Sequence, residues 1–415
     1  MKIFSLAWKF AILALPWQTR WFLDAQLAGW PWEQGRLSFY VSWIPLIVAV
    51  VLGWRLIPRS QRRVSRTTMG LIAGLFVLSI IATRFDVSAL RAGLQWWVQV
   101  GLLASFVFVL RRQAICWKKV ATWTVIALIP HAILGIIQYA NQEVWGASLL
   151  GIATQLPENA GVSVVEHGLF RVLRVYGGFP HPNIFGGWLV IGILTSLLLA
   201  TWSEEKKFAL FAMASSSLFL IALLLTYSRS AWLALLVGGI VLLGYVIRKK
   251  KLNHFFLLAC GATILAGGIV GFSQKEHLLA RGDTSSRLEA QSLSARAQSL
   301  QNGWMSFRAH PLIGSGPNAD LLVHVPESGR TTSPLEPPHA FLLLALANFG
   351  ILGMMLWGAL MYRLKRSRSV GPIFPACIFL APLFVVGLFD HYLWSYWSGQ
   401  ALIAFALLIS QRGDD

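Results

Sequence analysis

Acidic residues are scarce in this chain: 17 Asp and Glu stand among 415 residues, against 35 Lys and Arg. All charged residues together make up 13%, where soluble domains carry about 25%. A deficit of that size over this length excludes a water-soluble enzyme, and the 56% hydrophobic content excludes a disordered chain. Cysteine is rare as well. Cys116, Cys260 and Cys377 are the three, none in a long polar loop and none in a Cys-x-x-Cys pair. Neither a disulfide framework nor a cysteine metal or redox centre is supported. A P-loop and a G-x-S-x-G nucleophile elbow are also missing. No internal repeat or low-complexity segment is apparent.

What the chain has instead is long apolar runs. Twelve are of a length to cross about 30 Å of hydrocarbon: near 3–22, 36–57, 67–83, 89–110, 120–140, 183–202, 208–227, 230–247, 255–272, 339–361, 371–389 and 396–410. The first follows Lys2 in the manner of a signal peptide, but it lacks a small-x-small cleavage site and reads as a helix. The 19 Trp and 25 Phe suit membrane–water interfaces. The expected fold class is all-α: a polytopic membrane protein of about twelve transmembrane helices with a large, partly helical external loop. Helices one to five occupy 1–140, an external loop 141–182, helices six to nine 183–272, the large external loop 273–338, and helices ten to twelve with a short tail 339–415.

The net charge of +18 is then a matter of sides. Arg59, Arg62, Arg63 and Arg66 fall in one short loop, and Arg111, Arg112, Lys118 and Lys119 in the next on the same side. Glu204 to Lys207, Arg248 to Lys251, and Arg363, Lys365, Arg366 and Arg368 follow. These five loops hold 18 basic and two acidic residues, a net of +16. Lys and Arg gather in cytoplasmic loops, so the excess charge orients the chain with both termini inside and argues against nucleic acid. On the outer side, 273–338 carries six basic and six acidic residues. Within it Leu293, Ala297, Leu300, Trp304 and Phe307 recur every four and three residues. That spacing predicts an amphipathic external helix with Arg296 beside its apolar stripe.

Five outer-face segments carry candidate chemistry. "RVYGGFPHPN" holds Arg174, His181 and Asn183, the last placed to cap the sixth span. "YSRSAW" holds Arg229, where Ser228 or Ser230 can cap the eighth span. The external helix offers Arg296 and ends in "HPLIGSGPN". "PPHAFLLLALANFGILG" puts His339 at the start of the tenth span, and "FDHYLWSYWSGQ" sets Asp390 beside His391. Taken singly, each is also a cap, a snorkelling Arg or an aromatic-belt turn. Together they share one geometry: spans six, eight and ten all begin outside, and helix N-termini with Arg beside them suit an anion. Arg grips phosphate oxygens bidentately. The ligand they predict is a phosphate or diphosphate, carried on a lipid because soluble nucleotides are scarce outside the membrane. The external carboxylates are scattered and Asp414 and Asp415 sit at the cytoplasmic C-terminus, so no metal and no cofactor is expected.

In these motifs the chain resembles the O-antigen ligase and O-antigen polymerase superfamily of bacterial membrane glycosyltransferases. "RVYGGFPHPN" is similar to the family's Arg-x-x-Gly-x-Phe-x-x-Pro-Asn element and "YSRSAWLAL" to its Ser-Arg turn. Arg296 ahead of "HPLIGSGPN" matches its loop Arg, and "PHAFLLLALANFGILG" its His-bearing helix start. Ala340 stands where the family often has Asn, and His181 where it often has Asn or Gly.

The resemblance implies a fold of the GT-C kind and transfer of a glycan from an undecaprenyl-diphosphate-linked donor at the outer face of the bacterial inner membrane. It implies catalytic roles for Arg174, Arg296 and His339, diphosphate binding by Arg174, Arg229, Arg296 and Asn183, and support from His181, Asp390 and His391. A ligase would pass the glycan to lipid A–core or another surface acceptor; a polymerase would pass it to a second lipid-linked repeat unit. A transporter of lipid-linked glycans and a non-catalytic envelope scaffold are the readings from other classes. Transporters place ionisable groups near the membrane midplane, whereas here they cluster at one face.

Overall fold

A computed structural model describes residues 1–113, 115–167, 170–202, 205–280, 287–332, 334–366 and 373–409. Of the charges counted above, Glu204, Arg281, Asp283, Arg368, Asp414 and Asp415 lie outside the described residues, as do the side chains of Arg287, Glu289, Lys365 and Arg366. The chain is mostly helical. In order come α1 (Lys2–Ala14), α2 (Trp43–Leu56), α3 (Arg66–Ala82), α4 (Val87–Arg112), α5 (Trp117–Asn141), α6 (Pro182–Thr201), α7 (Lys206–Leu225) and α8 (Arg229–Arg248). Then follow α9 (His254–Ser273), α10 (Lys275–Ala280), α11 (Arg287–Ala309), α12 (Phe341–Arg366), α13 (Ile373–Phe389), α14 (Tyr392–Ser395) and α15 (Trp397–Ile409).

Every apolar run read from the sequence contains a helix, but the helices differ in reach. Among the described residues seven are long and apolar enough to cross a membrane: α4 to α9 and α12. The apolar helices α2, α3, α13 and α15 are shorter, and α1 has 13 residues. At 1.5 Å per residue α1 spans only about 20 Å.

The first two runs were overdrawn. α1 stops ahead of Pro16, and residues 20–40 fold as β1 (Arg20–Leu23) paired antiparallel with β4 (Leu37–Tyr40), enclosing β2 (Gln26–Leu27) and β3 (Trp30–Pro31). The cause is a knot of charge. Arg20 grips both carboxylate oxygens of Glu33 at 2.6 and 2.9 Å, and Arg36 reaches Glu33 at 2.8 Å and Asp24 at 2.9 Å. Apolar content counted Trp21, Phe22 and Leu23 as span, whereas the strand leaves them exposed. A third hairpin joins β5 (Val164–His167) to β6 (Phe170–Leu173). The α-helical reading of the fold is borne out, and three small two-stranded sheets accompany the helices, all outside the membrane-spanning ones.

At the centre stands α6, with 94% of its span buried. α5, α7, α8, α9, α13 and α15 pack around it. Two glycines, Gly186 and Gly187, let α8 and α14 close on its first turn, where the site is built. By contrast α9 lies at the periphery, 17% buried.

The external helix α11 forms, but its seated face is not the apolar stripe. Leu293, Leu300 and Trp304 are exposed, while Ser299, Gly303 and Ser306 are buried. A side chain at Gly303 would strike Pro338 at 2.6 Å, so small residues decide how close α11 can come. Arg296 shares the seated face, one turn before Ser299.

The two Gly-rich motifs that follow α11 and open α12 interlock. α12 is broken at Gly350, which sits at φ +60° and ψ −172°. The break frees the Ala347 and Asn348 carbonyls to accept from Ser315 N and Gly316 N at 3.0 and 2.9 Å. In return, Ile351 N and Leu352 N donate to the Pro311 and Leu312 carbonyls at 2.9 and 3.0 Å. A Cβ at Gly350 would lie 2.5 Å from the Leu312 backbone.

Candidate functional site

The site begins at the N-terminus of α6. Pro182 takes the first helical position, where its missing N–H costs nothing, and His181 becomes the cap by accepting Asn183 N–H on Nδ1 at 3.1 Å. The expectation of Asn183 as cap is thus corrected. Its freed amide accepts from Arg174 Nη2 at 2.7 Å on Oδ1 and donates to Asp390 Oδ2 at 3.0 Å from Nδ2. Ser163 meets His181 Nε2 at 3.1 Å, which ties the β5–β6 side of the loop to the same turn.

Arg174 follows directly on β6 and is buried, 6% exposed. Its Nε donates to the Thr226 carbonyl at 2.7 Å, in the turn between α7 and α8. Of the five N–H groups of a guanidinium, three remain for other partners. Gln138 of α5 braces the loop: its Oε1 accepts from Tyr176 N and Gly177 N, and its Nε2 donates to the Gly177 carbonyl at 2.9 Å. Arg229 opens α8 with Ser228 at the cap position, though neither serine hydroxyl caps the helix; they face each other at 3.4 Å. Arg229 and Arg296 stand close enough to one another, and to Arg174, for their charges to interact. Burial, with Arg296 and Arg229 adding to it, brings the Arg174 guanidinium down to about 10, still charged at neutral pH.

Asp390, between α13 and α14, is the hub. Besides Asn183 it accepts His391 N–H on Oδ1 at 2.8 Å and faces His339 Nδ1 at 3.9 Å. Burial alone would raise this carboxyl; His391, His339, His181 and the Asn183 hydrogen bond hold it below its ordinary value. Burial brings His391 down to about 4 and, with Arg174 beside it, His181 to about 3. At pH 7 the centre therefore combines an ionised Asp390 with neutral His181 and His391. The His391 and His339 rings meet edge to face at 5.1 Å. His391 Nδ1 pairs with Ser395 Oγ at 2.6 Å.

His339 is held from two sides. Its backbone N–H donates to Ser299 Oγ at 3.3 Å, and Ser299 in turn donates to the Arg296 carbonyl at 2.9 Å. One turn of α11 therefore sets both Arg296 and His339. Glu336 faces His339 Nε2 at 3.5 Å. The Nδ1 atom is buried with no hydrogen-bond partner.

All eight residues singled out from the sequence gather at this end of the bundle. Missed were the positioning groups: Ser163, Thr226, Ser299, Glu336 and Ser395. Glu336, three residues before His339, and Ser395, four after His391, are local partners; Ser163, Thr226 and Ser299 act across long sequence separations.

His339, Asp390 and His391 bring one ligand atom each within 4.8 Å of one another, a set able to hold a metal ion. The Arg174 and Arg296 charges act on the buried Asp390 carboxylate, and both its oxygens already accept hydrogen bonds. Several apolar helices of membrane-crossing length, with a cluster of arginines and histidines at one end of the bundle, are those of a polytopic membrane protein.

The family model described as O-antigen ligase matches residues 214–358, which supports the resemblance to the O-antigen ligase superfamily over that stretch. The matched stretch runs from α7 into α12 and includes Arg229, Arg296 and His339. It supports a function of the O-antigen ligase or polymerase type. No curated protein matches the chain.

Proposed function

We propose that the protein is an O-antigen ligase-like glycosyltransferase of the bacterial inner membrane, with both termini in the cytoplasm and segments 141–182 and 273–338 outside. The donor is a glycan on undecaprenyl diphosphate, and the acceptor is a hydroxyl of lipid A–core or another surface glycan. The observation that carries the reading is that Arg174 and Arg296 stand beside Asp390 of the His339–Asp390–His391 cluster, with Arg229 close to both arginines.

Arg174, Arg229 and Arg296 hold the diphosphate and stabilise the charge that develops as the sugar C1–O bond breaks. The acceptor oxygen forms the new bond to C1 while its proton passes to the His339 imidazole. Asp390 at 3.9 Å and Glu336 at 3.5 Å then stabilise the imidazolium. Single-step displacement inverts the anomeric centre. Asn183 has both amide groups engaged within the protein, so its part is to aim Arg174 and Asp390.

In a purified assay, Arg174→Ala and His339→Ala are expected to abolish transfer while the protein still inserts and folds. Near-normal transfer by either variant would remove that residue's role. A deletion strain separates ligase from polymerase. Polymer stranded on the undecaprenyl carrier marks a ligase, and an acceptor bearing one repeat unit marks a polymerase.

A further inference from the structure

A polar pocket adjoins Ser395, walled by the β1–β4 hairpin and by α4. Gln34, Gln99, Asn318 and Ser395 line it together with the Arg20–Glu33 pair. Gln95 of α4 fastens the hairpin in place: its Oε1 accepts from Ser38 N and its Nε2 donates to the Ser38 carbonyl, both at 3.1 Å. The charges here are already matched, since Arg20 and Arg36 both close on Glu33. What is left facing the space is uncharged and hydrogen-bonding. Asn318 is 3% exposed and its Oδ1 has no donor; beside it are the buried amides of Gln34 and Gln99. The pocket measures about 10 Å³, the room that one water molecule needs.

Ser395 joins this pocket to the histidines. Its Oγ lies 2.6 Å from His391 Nδ1 and 3.2 Å from the His391 carbonyl. A hydroxyl has a single hydrogen. The carbonyl draws it away from the ring, and so does a pocket water, which accepts from Ser395 while donating to Asn318 Oδ1. The short contact then needs its hydrogen from the imidazole. A neutral ring protonated on Nδ1 carries its lone pair on Nε2, and this ring stands edge to face with His339 at 5.1 Å between centres.

We propose that an ordered water in this pocket takes the Ser395 hydrogen and sets His391 in its Nδ1–H tautomer, so that Nε2 accepts a hydrogen bond from a second hydroxyl of the acceptor sugar. The inference rests on the glycosyltransferase reading and deepens it. His339 takes the proton of the reacting hydroxyl while His391 holds its neighbour, and two points of attachment fix the angle of attack where one leaves the sugar free to turn. Ser395 and Asn318 are positioning residues for His391, and the N-terminal hairpin is part of the site.

The test uses the full chain in nanodiscs with nitrogen-15 histidine, the His391 resonances being those that His391→Gln removes. Wild type is expected to carry the proton on Nδ1 and none on Nε2, with a cross-peak from that proton to a bound water. A proton on Nε2, or no bound water, overturns the inference. Transfer is then measured on acceptors whose hydroxyls beside the reacting one are replaced by hydrogen, one at a time. One of these is expected to lower kcat/KM of wild type about tenfold, the weight of one hydrogen bond. Ser395→Ala is expected to lose about tenfold on the full acceptor and nothing further on that deoxy acceptor, and Ser395→Thr, which keeps the hydroxyl, to recover the loss. A Ser395→Ala loss of the same size on every acceptor is a structural effect and overturns the inference. If wild type transfers to no acceptor, the glycosyltransferase reading falls, and the resonances still decide whether the pocket sets the His391 tautomer.

Discussion

Asp390 and Asp320 are both buried carboxylates, and their surroundings set them apart. Asp390 has three imidazoles and an amide around it and stays ionised. Asp320 has the Asn348 amide at 3.1 Å and its own backbone N–H, its Oδ2 is unpartnered, and burial pushes it up to about 6. Below its ordinary value of 3.8 the Asp320 carboxyl is protonated in folded and unfolded chain alike; between there and about 6 only the folded chain keeps the proton. Above that, the buried charge costs on the order of 3 kcal/mol. The carboxyl is thus least costly at low pH, and stability falls as pH rises through this window. Asp320→Asn keeps an acceptor for Asn348 without the charge, so its thermal midpoint relative to wild type should climb between pH 4 and 6 and then level off. A constant difference across that range would show that the Asp320 charge is not what matters.

The same residue-scale electrostatics bear on metals. His339, Asp390 and His391 have the ligand chemistry, but a divalent cation there would face Arg174 and Arg296 as well. Transfer should therefore survive exhaustive chelation with EDTA. Loss on chelation with recovery on adding Mn²⁺ or Zn²⁺ would reassign the trio as a metal centre.

Among the elements, α12 and the segment before it depend most on backbone conformation. Gly350 breaks the helix with a positive φ, and Gly314, at φ +74°, lies against the Asn348 backbone. In a membrane-spanning helix, broken backbone groups must find partners, and here residues 311–316 supply them. Gly350→Ala adds a Cβ against backbone that cannot yield, so it should cost several kcal/mol and sharply reduce the yield of folded protein. Gly239→Ala in α8, where a Cβ meets open space, is the control expected to express normally. The sequence marked "HPLIGSGPN" as the end of the preceding helix and "PPHAFLLLALANFGILG" as the start of a span. It did not reveal that they bind each other, because their hydrogen bonds join residues about 35 positions apart. The face α11 presents was misread for a related reason. Periodicity finds the apolar stripe, but the contact with Pro338 needs small residues, and the stripe turns outward.

For the molecule as a whole, the charge asymmetry is a topological statement that can be tested directly. Alkaline phosphatase fused within residues 141–182 or 273–338 should be active, and fusions after Gln61 or Lys250 inactive. The reverse pattern would place the arginine cluster in the cytoplasm and end the lipid-linked donor reading.

The apolar helical segments were legible in the sequence, as were the residues that the fold brings together at one end of the bundle, because apolar run length and helix starts are local properties. Three things waited for the tertiary structure. Pro182, not Asn183, had to take the helix start before Asn183 could join Arg174 to Asp390. Asp390, read locally as a turn cap, became the hub because α13 ends against the start of α6. The pocket beside Ser395 exists only because the hairpin at 20–40, Asn318 and α14 meet at α4. Each depends on contacts between segments far apart in sequence, and no local pattern encodes those.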